Sequence, residues 1–396
     1  MEKLLKHIKI LDFTRVLAGP YATMILGDMG AEIIKVEPLD GDECRSWPPT
    51  LAQGESGYFC AINRNKKAIT LNLKDPQAQK IVAGLVRNVD VVIENFTPGV
   101  AKKLHIDYET LSKVNTGLVY CSLSGFGQNG PYRNKKAYDP TIQGMTGLMS
   151  LTGEKGRSPV KVGIPITDLV AALNAVIAVQ AALLYRKETG KGQYIDVALY
   201  DSMISLLTVM AMEYFATDVV PGRYGMDHIH RVPAGAFETM DGSYVQVVAT
   251  SDSMYPKFCH AIGMPELIDD ERFNTNKKRV QNRGTIAPIL EDRMRTKTCA
   301  EWLELFEGAS LPCGPILNLK EVFEDPHMKA REMCQEIEHP IAGVIKQLGF
   351  PYKFSLTPVN IDRRPPLLGE HNYEILSKYL GYTTAEIDAL KARKVI

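Results

Sequence analysis

The chain has 396 residues, too many for one small core, so two or three domains, or one large domain with an insertion, are expected. Hydrophobic residues make up 45% and charged residues 23%, an ordinary globular balance. Lys+Arg and Asp+Glu both number 46, and a net charge of zero argues against nucleic acid or a membrane surface as an obligatory partner.

The first residues, Met1-Glu-Lys-Leu-Leu-Lys-His-Ile-Lys, are charged throughout and do not read as a signal peptide. No uninterrupted apolar run reaches the roughly 18 residues that spanning a bilayer takes, so no transmembrane helix is expected. Seven cysteines, at 44, 60, 121, 259, 299, 313 and 334, are scattered without a C-x-x-C. That pattern predicts a reduced, cytoplasmic setting with neither a zinc knuckle nor a disulfide frame.

Through residue 125 the chain alternates in type. Ile8 to Phe13, Ala31 to Val36, Ala68 to Leu73, Val89 to Glu94 and Leu118 to Ser124 read as strands, mostly β-branched and apolar on both faces. A short helix opens at Gly19-Pro20, with the proline in a first turn where its missing N–H is not needed. Further helices fit Pro76–Asn88 and Val100–Asn115. Strands of this kind between helices predict a parallel sheet covered on both sides, with the ligand crevice at the strand C-termini. Gly125 to Thr167 is loop-rich. A helix follows from Leu169 to about Lys187, apolar nearly all round and therefore expected to be buried, and another from about Leu199 to Thr217. Residues 218–235 look like a domain junction, and 236–325 like a smaller α+β unit with strand segments around Tyr244–Ala249. A capping box, Thr383-x-x-Glu386, starts the last helix. The expected division is a large domain over 1–198, a linking helix over 199–224, a small domain over 225–325, and a segment over 326–396 that the family resemblance given below returns to the large domain.

Several motifs invite a functional reading. Gly125-Phe-Gly127-Gln-Asn-Gly130 formally matches G-x-G-x-x-G after a strand, but Pro131 and a polar run follow it where a dinucleotide site needs a helix start. A mobile loop near a phosphate-bearing ligand fits better. Glu37, ending the second strand, is placed either to hold a ribose hydroxyl or to sit solvated. His228-x-His230 lacks further metal ligands nearby, and no G-x-S-x-G elbow occurs. Asp168 stands apart. Val162-Gly-Ile-Pro-Ile-Thr-Asp168 runs directly into the long helix, so its carboxylate is an N-cap or first-turn group favoured by free N–H groups and the helix dipole. Capping alone would explain it. The Lys135-Lys136-Ala-Tyr138-Asp139 loop upstream, and glycines at 144, 147, 153 and 163 that permit close backbone approach, point instead to a reacting group.

At these residues the sequence resembles the class III coenzyme A transferases, the formyl-CoA and carnitine-CoA transferase family, over essentially its whole length. The landmarks include Leu11-Asp-Phe-Thr-Arg15-Val-Leu-Ala-Gly-Pro20, Gly30 to Glu37, Asn63-Arg-Asn-Lys-Lys67, Glu94-Asn-Phe-Thr-Pro-Gly99, Ser124 to Gly127, Tyr138-Asp139, Gly163 to Asp168, Thr189 to Gly192, Pro312-Cys-Gly-Pro315 and Pro366 to His371. The resemblance implies a Rossmann-like large domain of parallel sheet built from both chain ends, an inserted smaller α+β domain, and an interlocked homodimer. It implies Asp168 as catalytic nucleophile, and Val16, Asn95, Phe96, Lys103, Lys136 and Tyr138 as contacts to coenzyme A. Two departures stand out. Pro38 replaces an arginine that some members place beside the adenosine, and residues 223–235 replace a glycine run that formyl-CoA transferases close over the site. The first shifts phosphate recognition to Lys or Arg elsewhere, and the second puts formyl-CoA and oxalate in doubt as substrates.

The implied chemistry uses acyl-CoA as substrate and no permanently bound cofactor. The bound carboxylate of Asp168 would attack the thioester, giving an acyl-aspartyl anhydride and then an aspartyl-CoA thioester, with neighbouring backbone N–H groups stabilising each oxyanion. Two alternatives remain. α-Methylacyl-CoA racemases share the resemblance but are expected to have a histidine at position 138, where a phenol is a poor general base at neutral pH. A noncatalytic acyl-CoA-binding protein is the third reading. Asn63–Lys67 and Pro312–Pro315 most resemble members acting on succinyl-CoA and small dicarboxylates. A free second carboxylate needs a cation, for which Arg15 and Arg231 are the candidates, and coenzyme A phosphate or solvent contacts are the alternative role for both.

Overall fold

A computed structural model describes residues 2–396. In chain order the first elements are β1 Lys9–Asp12, α1 Ala18–Asp28, β2 Glu32–Glu37, α2 Gly57–Ile62, β3 Lys66–Thr70, α3 Pro76–Val86, β4 Val91–Glu94, α4 Val100–Lys103, α5 Tyr108–Leu111 and β5 Val119–Ser124. There follow α6 Asp139–Met145, α7 Leu148–Leu151, α8 Ile166–Thr189, β6 Tyr194–Ala198, α9 Leu199–Ser205 and α10 Thr208–Thr217.

The six strands pair in parallel in the order β3-β2-β1-β4-β5-β6. Each strand sends alternate side chains to opposite faces, and both faces are covered. Leu11, Ile34, Val92 and Tyr120 pack with α3 on one side, while Ile10, Ile33, Ile93 and Cys121 pack with α1 and α8 on the other. This is the arrangement of a doubly wound Rossmann-type sheet. Its strand order reverses between β1 and β4, where the loops leaving the two strands diverge and open a crevice.

The chain divides into two compact units. The first holds residues 1–148, 161–216 and 330–396, and the second 149–160 and 217–329. Residues 149–160, expected in the large domain, cluster with the second unit, and α9 and α10 belong to the first rather than forming a separate link. In the second unit β7 Ala234–Glu238, β8 Tyr244–Val248 and β9 Cys313–Pro315 form an antiparallel sheet. With them come α11 Met254–Ala261, α12 Asn276–Gln281, α13 Arg283–Met294, α14 Cys299–Gly308, α15 Leu319–Glu324 and α16 Pro326–Ala330. Its core is aromatic, with Phe306 stacked on both Phe258 and Trp302 at 5.8 and 5.7 Å. The chain then returns to the first unit through the hairpin β10 Cys334–His339 and β11 Gly343–Leu348, α17 Asn372–Leu380 and α18 Thr384–Ala392. Ile375, Leu376, Ile387 and Leu390 of the last two helices bury themselves in the α3 layer, so both chain ends build the large unit. The Thr383–Glu386 capping box is present.

Local structure departs from the sequence reading in four places. The sixth strand, β6, is additional to those expected; Tyr194-Ile-Asp-Val-Ala lies at the sheet edge and buries only Val197 and Ala198. The helix expected over Val100–Asn115 breaks into α4 and α5, with His105 left-handed between them and Asp107 capping the second. Likewise Thr208, at φ +23°, separates α9 from α10. The fourth is α8, expected to be buried all round. Ala171, Ala172, Ala175, Val179 and Ala182 press one face onto α1 and the sheet, and small side chains allow that close approach. Leu173, Ile177 and Leu184 on the other face are 47%, 64% and 67% exposed. By length and composition α8 also passes as a membrane span, contrary to expectation; in the fold its alanine face is the wall of a sheet layer.

Candidate functional site

The crevice at the strand C-termini contains two chambers of the large unit. One, of about 290 Å³, is lined by Arg15–Ala18 after β1, Asn95–Pro98 after β4, Ser124 and Gly125 after β5, the Arg133–Tyr138 loop, and Asp168. The other, of about 440 Å³, is more apolar, with Phe13, Val36, Pro38, Leu71 and Leu104 in its walls and Lys74 at its edge. Arg15 and Phe96 line both. A third depression of about 450 Å³, around Lys3, Glu32, Lys67 and Lys378, lies toward the opposite strand ends. There Glu32 is already taken by Lys67, Lys378 and the Tyr379 hydroxyl, which hold its carboxyl down at about 2.

Asp168 lies in the first turn of α8 and is not its cap; that position is Pro165, which offers no side-chain acceptor. The helix start is fixed instead by Asp139 of α6. Its Oδ1 accepts from both the backbone N–H and the hydroxyl of Thr167, at 3.0 Å each, and its Oδ2 accepts from Gln143 at 2.8 Å. Gln143 in turn accepts from Val162 N–H at 2.9 Å, holding the segment that leads into α8. Burial, then the negative charge of Asp139, pushes the Asp168 carboxyl up to about 6, while its own N–H and that of Ala18, at the start of α1, pull the other way. The result is a partly desolvated carboxylate, ionised at neutral pH and more basic than a surface aspartate.

The cationic side of this chamber comes from Arg133, Lys135 and Lys136, all exposed and on one loop. The loop after β4 is held from below by Glu94, whose carboxylate accepts from Phe96 N–H at 2.7 Å and from Ser122, and whose burial pushes it up to about 7. Asn95 binds the β1 loop reciprocally, accepting from Arg15 N–H and donating to Arg15 O, both at 2.8 Å. These partners are backbone groups, so the loop shape is set independently of the side chain of Arg15.

Of the residues singled out in sequence, Val16, Asn95, Phe96, Lys136, Tyr138, Asp168 and Arg15 come together in the Asp168 chamber. Lys103 is exposed at the end of α4 and lines neither chamber, whereas its neighbour Leu104 lines the apolar one. Arg231 lies in the second unit, in the loop ahead of β7. There His228 Nδ1 accepts from His230 N–H and burial lowers the His228 pKa, which describes a folded loop and not a metal pair. Glu37 is neither solvated nor free for a ribose. It is 1% exposed and bidentate to Arg45 at 2.7 Å, and it also accepts from Asp42 N–H. No helix opens within Gly125–Gly130; Gly127 and Gly130 are left-handed turn residues.

The sequence reading missed Leu71 and Lys74, which close the apolar chamber, because nothing in Leu-Asn-Leu-Lys distinguishes a chamber wall from a strand exit. Burial, with the negative charge of Asp168 adding to it, pushes the phenol of Tyr58 on α2 up to about 12. Among the described residues one group, Glu55, Cys60 and His339, has metal-type donor atoms within 4.8 Å of one another. His339 Nδ1 accepts from the N–H groups of Ile341 and Ala342, which puts the neutral ring's proton on Nε2 and leaves no lone pair for a cation.

Known proteins share this architecture and this sequence. A family model described as CoA-transferase family III matches residues 5–372. The chain is 42% identical to the succinyl-CoA:glutarate CoA-transferase of Mus musculus over 395 residues, covering 100% of this chain and 90% of the mouse protein. It is 40% identical to the protein of the same name from Homo sapiens, with the same coverage. A crystal structure of a CAIB/BAIF family protein from Brucella suis superposes with a TM-score of 0.86 at 39% identity, over 96% of this chain and 100% of that one. The family match runs through both units and spans the crevice residues described above. The chain belongs to CoA-transferase family III and is a coenzyme A transferase.

Proposed function

We propose that this enzyme moves coenzyme A from succinyl-CoA to a small dicarboxylic acid through covalent intermediates on Asp168. The observation that carries this reading is the placement of one carboxylate, pushed up to about 6, in a chamber shared with the turn after β1 and a basic loop at the mouth of a parallel sheet. The relatives from mouse and human are named for succinyl-CoA and glutarate, which supports the choice of acids.

In this reading the adenine end of coenzyme A enters the apolar chamber against Phe96, Leu71 and Val36. Pro38 lines that chamber, so Arg15 and Lys74 are its available cations. Arg133, Lys135 and Lys136 attract the phosphates, which brings the thioester to Asp168. The carboxylate attacks the thioester carbonyl; the C–S bond breaks, giving an acyl-aspartyl anhydride and coenzyme A thiolate. The thiolate attacks the aspartyl carbonyl, releasing the donor acid and leaving an aspartyl-CoA thioester. The acceptor carboxylate attacks that thioester, re-forming an anhydride and thiolate. Attack of the thiolate on the acceptor's carbonyl then releases product and restores Asp168. The N–H groups at the start of α1 and α8 face the developing oxyanion charge. Tyr138, 64% exposed in the same chamber, is a phenol and a poor base at neutral pH, so a proton-shuttling racemase is disfavoured.

The same reading includes a homodimer. Leu173, Ile177 and Leu184 on α8, with Val209, Met212 and Phe215 on α10, leave large apolar side chains in water, and a second copy is the covering that the family resemblance implies. The decisive test is Asp168→Ala. It should fold and bind coenzyme A while losing transfer by at least about 10³-fold, and wild type given acyl-CoA alone should carry a coenzyme A adduct on the peptide containing Asp168. Substantial turnover by the variant rules the mechanism out.

A further inference from the structure

The turn joining β1 to α1 places Val16, Leu17 and Ala18 in the wall of the chamber that Asp168 also lines. Val16 has φ +66°. For a β-branched residue this left-handed conformation is strained and persists only where the surroundings impose it.

What imposes it is a buried ion pair. Val16 N–H donates to Asp42 Oδ1 at 3.3 Å. Lys35 Nζ donates to Asp42 Oδ2 at 2.9 Å and to Thr14 O at 2.8 Å, two residues before Val16. The Lys35 and Asp42 side chains are 0% and 1% exposed. Asp42 is oriented in turn by Glu37, which accepts its N–H at 3.0 Å and is itself locked by Arg45. A charged pair this deep is weak evidence for stability, because apolar residues of similar volume often do as well. Here both ends of the pair grip one strained turn.

We propose that Lys35 and Asp42 are positioning residues of the transfer reaction: they hold Val16 left-handed, and thereby keep the Val16–Ala18 turn in place as the wall of the chamber in which Asp168 reacts. This rests on Asp168 being the reacting group. The two residues line neither chamber and act only through the turn.

Glycine adopts a positive φ freely, so the clamp should matter only while residue 16 has a side chain. The test is a cycle between the pair Lys35→Met/Asp42→Ala, which leaves no unpaired buried charge, and Val16→Gly. With Val16 in place the pair should lower kcat about 20-fold or more, with the KM for acyl-CoA changed less than about threefold. Added to Val16→Gly, and measured relative to Val16→Gly alone, it should lower kcat less than about threefold. Equal losses in both backgrounds, or a folded pair variant with wild-type kcat, overturn the proposal. If circular dichroism shows the pair variant unfolded, Asp42→Asn alone replaces it. Its loss should be about fivefold with Val16 in place and under about twofold when added to Val16→Gly, and equal losses again overturn the clamp. Asp168→Ala assayed alongside separates the two failures. Turnover there removes the mechanism itself, whereas an inactive Asp168→Ala with equal losses in the cycle removes only the clamp.

Discussion

Asp139 anchors the residue before Asp168 and also acts on Asp168 itself: its Oδ1 accepts from Thr167 N–H and hydroxyl, and its negative charge helps raise the Asp168 carboxyl to about 6. One side chain therefore fixes the position of the candidate nucleophile and adds to the effect of burial on its basicity. Asparagine keeps the Oδ1 acceptor for Thr167 while losing the charge and the Oδ2 acceptor that Gln143 uses.

The dependence of kcat/KM on pH should show an acidic limb near 6, with activity lost as pH falls through it and Asp168 takes a proton. Asp139→Asn should move that limb down by about half a unit or more, because burial, the larger cause, remains. A limb unmoved in Asp139→Asn, or one lying near 4 in wild type, contradicts the assigned coupling.

Stability should run opposite to activity at Asp168. An aspartate raised from its ordinary 3.8 to about 6 in the folded state favours folding when protonated. That advantage is complete below about pH 4 and lost as pH rises through 6, a swing on the order of 3 kcal/mol. Asp168→Asn should accordingly be more heat-stable than wild type at about pH 7.5, by about 1–3 kcal/mol, with the difference shrinking toward about pH 4. Calorimetry at the two pH values checks this, and a variant less stable at both disagrees with it.

Arg15 is the cation that borders both chambers, its guanidinium 5.9 Å from the Phe96 ring centre. If it meets the free carboxylate of a dicarboxylic acid, Arg15→Gln should raise the KM for glutarate about tenfold and that for a monocarboxylate of equal length about twofold or less. A parallel rise in the KM for acyl-CoA alone would assign Arg15 to coenzyme A instead.

Ile177 and Leu184 project from α8 with no cover in one subunit. If the proposed homodimer covers them, Ile177→Asp should leave monomer or aggregate in sedimentation, with loss of activity, because burying an unpaired carboxylate at an apolar interface costs several kcal/mol. Wild-type assembly in that variant places the interface elsewhere.

The alternation of apolar strands and helices and the exit of the chain into a second unit near residue 218 were legible because each depends on local periodicity and turn chemistry, whereas the return of the C-terminus to the large unit was expected from the family resemblance alone. Asp168 stood out for a similarly local reason, its place at the start of a long helix after a glycine-containing run. What sequence did not disclose is everything that depends on through-space partners. Glu37 reads either as a ribose ligand or as a solvated strand end in sequence, and in the fold it is buried and Arg45 occupies it. Leu71 and Lys74 are chamber walls only because β3 lies at the sheet edge beside β2. Lys35 and Val36 alternate like any strand pair. That one is a clamp for the turn at Val16 and the other a wall of the apolar chamber follows from the opposite directions in which a pleated strand sends adjacent side chains, and from which loops the folded sheet brings over each.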